Sequence, residues 1–317
     1  MELRDYVKGD EAKIFELFEA SFGRPISKDF WNWRFLQNPL NQTMIKLMWD
    51  NDTLAGHYAV SPVSLDMNGA QILTGLSMTT MTHPQYSGRG IFSLLAEALY
   101  EEQRSRNKLE AVWGFPNNNS HYAFIKNLRW ANIEQIPTFS LRIEKLKKTD
   151  PSDVRLADAF NKQNPAAIID STSGFDVKVK KTADYLNWRY VQHPTNKYKI
   201  FQMTLGGLEY FAVTKIFRSF TDSNRFEVDL IELYFPPVYD ALLQLLNAIT
   251  DFYSQYALLQ INMWLPVNDE KHIVLEKIGF VLSGPVTYFG IRVLNEQYKA
   301  LRENSRWYYS MGDSDIF

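Results

Sequence analysis

The chain has 317 residues, 45% of them hydrophobic and 22% charged, with a formal net charge of -2; this is a globular composition, long enough for one large or two average domains, without the basic footprint of a nucleic-acid binder. It contains no cysteine, which excludes disulfide frameworks, thiolate metal sites and cysteine nucleophiles. His57, His83, His121, His193 and His272 have no metal-ligand spacing, no G-x-S-x-G elbow occurs, and no stretch is apolar enough for a signal core or a membrane span, so a metal-free cytoplasmic protein without membrane or nucleic-acid partners is expected.

Residues 29–41, DFWNWRFLQNPLN, return as residues 184–196, DYLNWRYVQHPTN, with Asp, Asn, Trp, Arg, Gln, Pro and Asn in common. Each copy precedes a hairpin pattern: IKLMW and LAGHYAV around Asp50, Asn51 and Asp52, then KIFQMTL and LEYFAV around Gly206 and Gly207. A unit present in both halves suits a scaffold, with Trp33 and Trp188 in core and Arg34 and Arg189 pairing backbone or carboxylate nearby.

Residues 79–95 read as a strand that enters a glycine turn and opens directly into a helix carrying Ile91, Leu94, Leu95, Ala98 and Leu99 on one face. Gln85, Gly88 and Gly90 fit Q-x-x-G-x-G. Glycines let backbone approach a ligand closely, and the first turn of a helix offers unpaired N–H groups at the positive end of its dipole, a setting that holds a diphosphate. No P-loop string occurs, and a Rossmann fingerprint is matched only as Gly88, Gly90 and Ser93 without an N-terminal βαβ unit. A turn that merely connects strand to helix is the alternative.

This motif resembles the acetyl-coenzyme A signature of the GNAT N-acetyltransferase superfamily. The likeness extends in order through residues 3–6 and 10–22, which resemble the family's first strand and helix, Thr82-His83-Pro84, residues 109–115, which resemble the next core strand, and residues 118–130, NNSHYAFIKNLRW. Two positions depart from the family pattern: Ile125 stands where the usual tyrosine acid would be, and Arg129 replaces the usual glycine before the aromatic Trp130. The resemblance implies that Gln85, Ser87, Gly88, Arg89, Gly90 and Ile91 hold the cofactor diphosphate. It further implies that Thr80, Met81 and Thr82 offer edge backbone to the pantetheine arm and that Asn118 bonds the arm; an Asx turn by Asn117, Asn118 and Asn119 is the plainer alternative. Tyr122 and His121 are candidate proton-transfer groups, with His83 a further candidate base.

The second half repeats the first beyond the hairpin: Leu265-Pro266 with Asn268 answers Phe115-Pro116 with Asn118, Ile278-Gly279-Phe280 answers Leu128-Arg129-Trp130, and Ile291-Arg292-Val293 answers Leu141-Arg142-Ile143. Between a strand at 228–234 and a helix at 238–253 it carries Phe235-Pro236-Pro237 instead of a glycine loop, and two prolines remove two N–H groups. The expected fold is α+β: two tandem GNAT-like domains, 1–147 and 148–317, each a twisted mixed sheet flanked by helices, with a boundary in the polar segment 145–153 and a single acetyl-CoA site in the first. The resemblance implies acetyl transfer from acetyl-CoA to a small primary amine such as an amino sugar or sugar nucleotide. A non-catalytic ligand-binding protein of the same fold and an aminoacyl or acyl transferase of the related tandem type are the alternatives. The C-terminal Asp313 and Asp315 either face the acceptor or cap the chain end; the oligomeric state is not indicated.

Overall fold

The computed structural model describes residues 1–106, 108–149 and 153–317, so residues 150–152 of the expected boundary segment lie outside the described residues. The elements run β1 (Glu2–Asp5), α1 (Glu11–Phe22), α2 (Lys28–Phe35), β2 (Met44–Asp50), β3 (Thr53–Met67), β4 (Ala70–Thr82), α3 (Ile91–Ser105), β5 (Ala111–Gly114), α4 (Asn118–Lys126) and β6 (Ala131–Arg142). They continue with β7 (Arg155–Ala157), α5 (Asn164–Ser171), β8 (Val177–Val179), α6 (Ala183–Leu186), β9 (Lys199–Leu205), β10 (Leu208–Arg218), β11 (Phe226–Tyr234), α7 (Tyr239–Phe252), β12 (Leu258–Met263), α8 (Lys271–Ile278) and β13 (Val281–Val293).

Two compact units emerge: residues 1–134 with 287–304, and residues 135–286 with 305–317. They differ from a simple cut at 147/148 because β6 ends in the second unit and β13 ends in the first. Each strand therefore leaves the helix that precedes it and completes the other unit's sheet.

In the first unit β1, β2, β3 and β4 pair antiparallel in that order, β5 joins β4 in parallel, and Gly290–Val293 of β13 pair antiparallel with β5. Helices α1 and α2 bury Ile14, Leu17, Trp31 and Phe35 on one face against Ile45, Leu47, Ala59 and Met81. On the other, α3 and α4 bury Ile91, Leu95, Leu99 and Phe124, with Leu128 just after α4, against Tyr58, Val60 and Val112. Large side chains buried this completely contribute about 1.5–3 kcal/mol each by leaving water. Local signals agree with the packing: Ser27 Oγ caps α2 by accepting from Phe30 N, and Gly23, with φ 68, closes α1 in the left-handed conformation that glycine takes without strain.

The second unit repeats the plan. Strands β9, β10 and β11 are antiparallel neighbours, β12 joins β11 in parallel, β6 pairs antiparallel with β12, and β7 lies on β9. Helix α7 packs Leu242, Leu245, Leu246 and Ile249 with Phe201, Ala212, Val228 and Ile261.

The repeated sequence unit forms equivalent turns: α2 in the first copy, and α6 running into a π-helical turn over Asn187–Val191 in the second. Trp33 and Trp188 are core residues. Buried Arg34 sets its Nε 3.0 Å from Met78 Sδ, while buried Arg189 donates to Tyr198 Oη and to the backbone oxygens of Ser314 and Phe317. Gly279 ends α8 with φ 123, and its counterpart Arg129 still takes φ 53. The left-handed turn is thus kept where the glycine is not.

Candidate functional site

The parallel pairing of β4 with β5 covers only Gly75–Val112 and Leu76–Trp113. Trp113 Nε1 donates to Thr74 Oγ1 at 2.9 Å at the base of this contact, and Gly114 lets the strands touch, since a Cβ there would lie 3.2 Å from Ser77 O. Past Leu76, β4 runs on to Thr82 without a β5 partner. Its register against β3 shifts there: His57 opposes Met81 but Ala59 opposes Met78, so Thr79 and Thr80 together face Tyr58. Thr79 has φ 49, a conformation β-branched residues rarely accept, and such strain concentrates where structure serves a ligand. The bulge lies beyond the last β5 pair, so Thr80, Met81 and Thr82 have no ladder partner on β5. The Met81 side chain meanwhile stays in core.

After β4, His83 turns the chain into a short 3-10 segment, Pro84–Tyr86, with its Nδ1 accepting from Gln85 N at 3.3 Å. Tyr86 Oη donates to Asp50 Oδ2 at 2.8 Å, and the Arg89 guanidinium lies 4.8 Å from the Tyr86 ring centre. Gly88 and Gly90 have φ 76 and 73, and Gly90 is the residue at which α3 begins. A Cβ on either glycine would meet no atom of the protein within 4 Å. Glycine is therefore required here by backbone conformation, while the space that a side chain would take stays open to a ligand. The first turn of α3 has no acidic residue, whereas that of α7 has Asp240. The unpaired N–H groups and dipole of α3 thus favour an anion, and Gln85, Ser87 and Arg89 are exposed around them.

Across β5, the Asn117 side chain caps α4 by accepting from Asn119 N and Ser120 N. Asn117 thus makes the Asx turn, and Asn118 is the first residue of the helix. Tyr122 is 69% exposed. His121 is stacked on Tyr288 at 3.8 Å between ring centres, with Nε2 3.3 Å from Asn132 Oδ1. These contacts lie toward β6 and β13, so the ring leans away from the unpaired end of β4. Ile125 packs on the core that α3 and α4 share.

Asp313 is buried in the second unit, 2.8 Å from Lys181 Nζ, and closes a capping box with Ser310. Asp315 is exposed. The second unit's counterpart of the glycine loop, Phe235-Pro236-Pro237, has its phenylalanine in core and leads through Val238 into α7, with no side-chain cap. Sequence reasoning passed over Gly56, Gly114 and Thr79; an isolated glycine within a strand pattern is the signal for close backbone approach that marks the first two.

Among the described residues no group of three His, Asp or Glu side chains is arranged to hold a metal ion, and no helix is long and apolar enough to cross a membrane. Residues 2–132 match the model of the acetyltransferase (GNAT) domain. No curated protein sequence is similar to the chain. Among solved structures, the fold is similar to a GCN5-related N-acetyltransferase from Anabaena variabilis ATCC 29413, with TM-score 0.70, 10% identity, and coverage of 93% of this chain and 73% of that one. It is also similar to Eis1 from Mycobacterium abscessus, with TM-score 0.64, 13% identity, and coverage of 96% and 76%. A GCN5-related N-acetyltransferase from Kribbella flavida gives TM-score 0.64 at 14% identity over 93% and 71%.

Proposed function

We propose, from the match of residues 2–132 to the model of the acetyltransferase (GNAT) domain, that the protein moves an acetyl group from acetyl-CoA to the primary amine of a small acceptor such as an amino sugar or sugar nucleotide. The observation that carries this reading is the pairing of two left-handed glycines at the start of α3 with an unpartnered strand edge on β4. Diphosphate would lie on the amides of Gly88, Gly90 and Ile91 with Arg89 beside it. The pantetheine arm would extend along Thr80, Met81 and Thr82 as an added strand, near Asn118.

The amine nitrogen attacks the thioester carbonyl and forms the amide as the carbon–sulfur bond breaks. The ammonium proton passes to a base or water, and the departing thiolate takes a proton from Tyr122 or water. Tyr122 is the better of the two side-chain candidates, because its exposed phenol is free to meet a ligand while His121 is stacked on Tyr288. The second unit, whose loop lacks glycine, supplies no second cofactor site in this reading.

Calorimetry with acetyl-CoA is expected to give one site per chain, and thiol release over a panel of amines is expected to show turnover. No binding, or two sites, would overturn the assignment. Ile125 in place of a tyrosine favours a second reading, a protein that binds the cofactor without catalysis. That reading predicts binding with no thiol release on any amine. Aminoacyl transfer from charged tRNA is disfavoured by the net charge of -2.

A further inference from the structure

His57 is wholly buried on β3, edge-on to the Phe35 ring. Its Nδ1 lies 2.8 Å from the carbonyl oxygen of Thr79, the residue that carries the bulge on β4. A carbonyl only accepts, so Nδ1 bears the proton. Nε2 is buried without a hydrogen-bond partner, a position tolerable for a bare lone pair and costly for a second N–H. The ring is therefore neutral, and burial lowers its pKa to about 4. A neutral donor in an apolar layer is well suited to fixing one carbonyl and changing nothing else.

The chain contains its own comparison. In the second unit Val213 opposes Glu232 and Thr214 opposes Leu230, so β11 bulges at Ile231, the counterpart of Thr79. Ile231 is not among the residues with positive φ. Pairing of Gly56 with Thr82 and of Phe211 with Tyr234 makes Ala212 the counterpart of His57. The copy with the glycine loop thus has both the left-handed bulge and its donor; the copy with Pro236 and Pro237 has neither.

We propose that His57 is a positioning residue of the cofactor site: by donating Nδ1–H to Thr79 O it holds the left-handed bulge that presents the β4 edge to the pantetheine arm. This rests on the acetyl-CoA reading above. Thr79 pays for its conformation with strain that only surrounding contacts can sustain, and the hydrogen bond is the contact aimed at that peptide. Without it the bulge would relax toward an ordinary strand, turning the edge groups of Thr80 and Thr82.

The test is a double-mutant cycle in the full chain, read by acetyl-CoA calorimetry. His57→Leu is expected to weaken binding about tenfold. His57→Asn, whose amide N–H overlays Nδ1, is expected to stay within about threefold of the parent. Glycine accepts φ 49 without strain, so in a Thr79→Gly background His57→Leu is expected to cost less than about threefold. Equal losses in both backgrounds, or none in either, would overturn the proposal. A parent protein that binds no acetyl-CoA would overturn the functional reading instead. The positioning claim would then be read by nitrogen NMR of labelled histidine at pH 7, which is expected to show the Nδ1-protonated neutral ring; an Nε2-protonated or charged ring would overturn it, and so would His57→Leu leaving the Thr79 amide and carbonyl shifts unchanged.

Discussion

A Cβ added to Gly56 would overlap Cγ2 of Ile91, the first residue of α3, and would approach Leu95 Cδ1 at 3.1 Å. The start of the helix that carries the glycine loop therefore lies directly on bare strand backbone. Ile91 is β-branched and buried, so its Cγ2 has no free rotamer to retreat into. Gly56→Ala is expected to cost about 1–3 kcal/mol through overpacking, seen as a lower urea midpoint, and to weaken acetyl-CoA binding because α3 must lift. An unchanged midpoint would mean that the helix start moves freely.

Gly90→Val tests the loop itself. At φ 73 a β-branched side chain adds strain of about 1–3 kcal/mol, which lowers the melting temperature of the free protein. The new side chain enters space that no protein atom occupies, so any further effect reports on a ligand. Acetyl-CoA affinity is expected to fall at least about tenfold, or about 1.4 kcal/mol, at a temperature where the variant is folded. A folded variant with parental affinity would reduce the turn to a connector.

The glycine turn was legible in sequence because Gly88 and Gly90 have backbone angles that few other residues adopt. The duplicated scaffold was legible because Trp33 and Trp188 solve one packing problem twice. Thr79 was not legible: a threonine within a strand pattern argues against the conformation it holds, and only tertiary contacts sustain it. The exchange of β6 and β13 was hidden for a related reason, since which strand completes a sheet depends on partners remote in sequence. Asp313, read as facing an acceptor or capping the chain end, closes a capping box with Ser310 in the C-terminal segment and also lies against Lys181, whose own sequence neighbourhood gives no hint of burial.

Asp229 gives a pH signature. Burial beside Glu227 raises its carboxyl to about 7 from 3.8, against the pull of Lys215 and a 3.4 Å bond from Asn262 Nδ2. The folded pKa lies above the unfolded one, so between these values the native state holds a proton that the unfolded chain has lost. Stability from this group is full below about 4 and declines as pH rises to about 7, a loss of roughly 2–4 kcal/mol. Asp229→Asn keeps the hydrogen-bonding shape without the ionisation. It is expected to raise the melting temperature at pH 8 and to have little effect at pH 4.5; equal effects at both would show that Asp229 is not protonated in the fold.

Lys181 sits in a buried cluster in the second unit, where its Nζ lies 2.7 Å from Glu232 Oε1 and 2.8 Å from Asp313 Oδ1 and also donates to Tyr234 Oη and Ser310 Oγ. Two carboxylates facing one ammonium leave an excess negative charge, and burial accordingly raises the Asp313 pKa toward the neutral acid. Lys181→Met would strand both acids out of water and is expected to cost about 3–5 kcal/mol. Asp313→Asn leaves one cation facing one anion and keeps an acceptor for Ser310 N, so a cost of only about 1 kcal/mol is expected. Urea melts of the two variants at pH 7 decide the matter: comparable losses would mean that Asp313 is ionised and its charge, rather than its shape, holds the C-terminal segment.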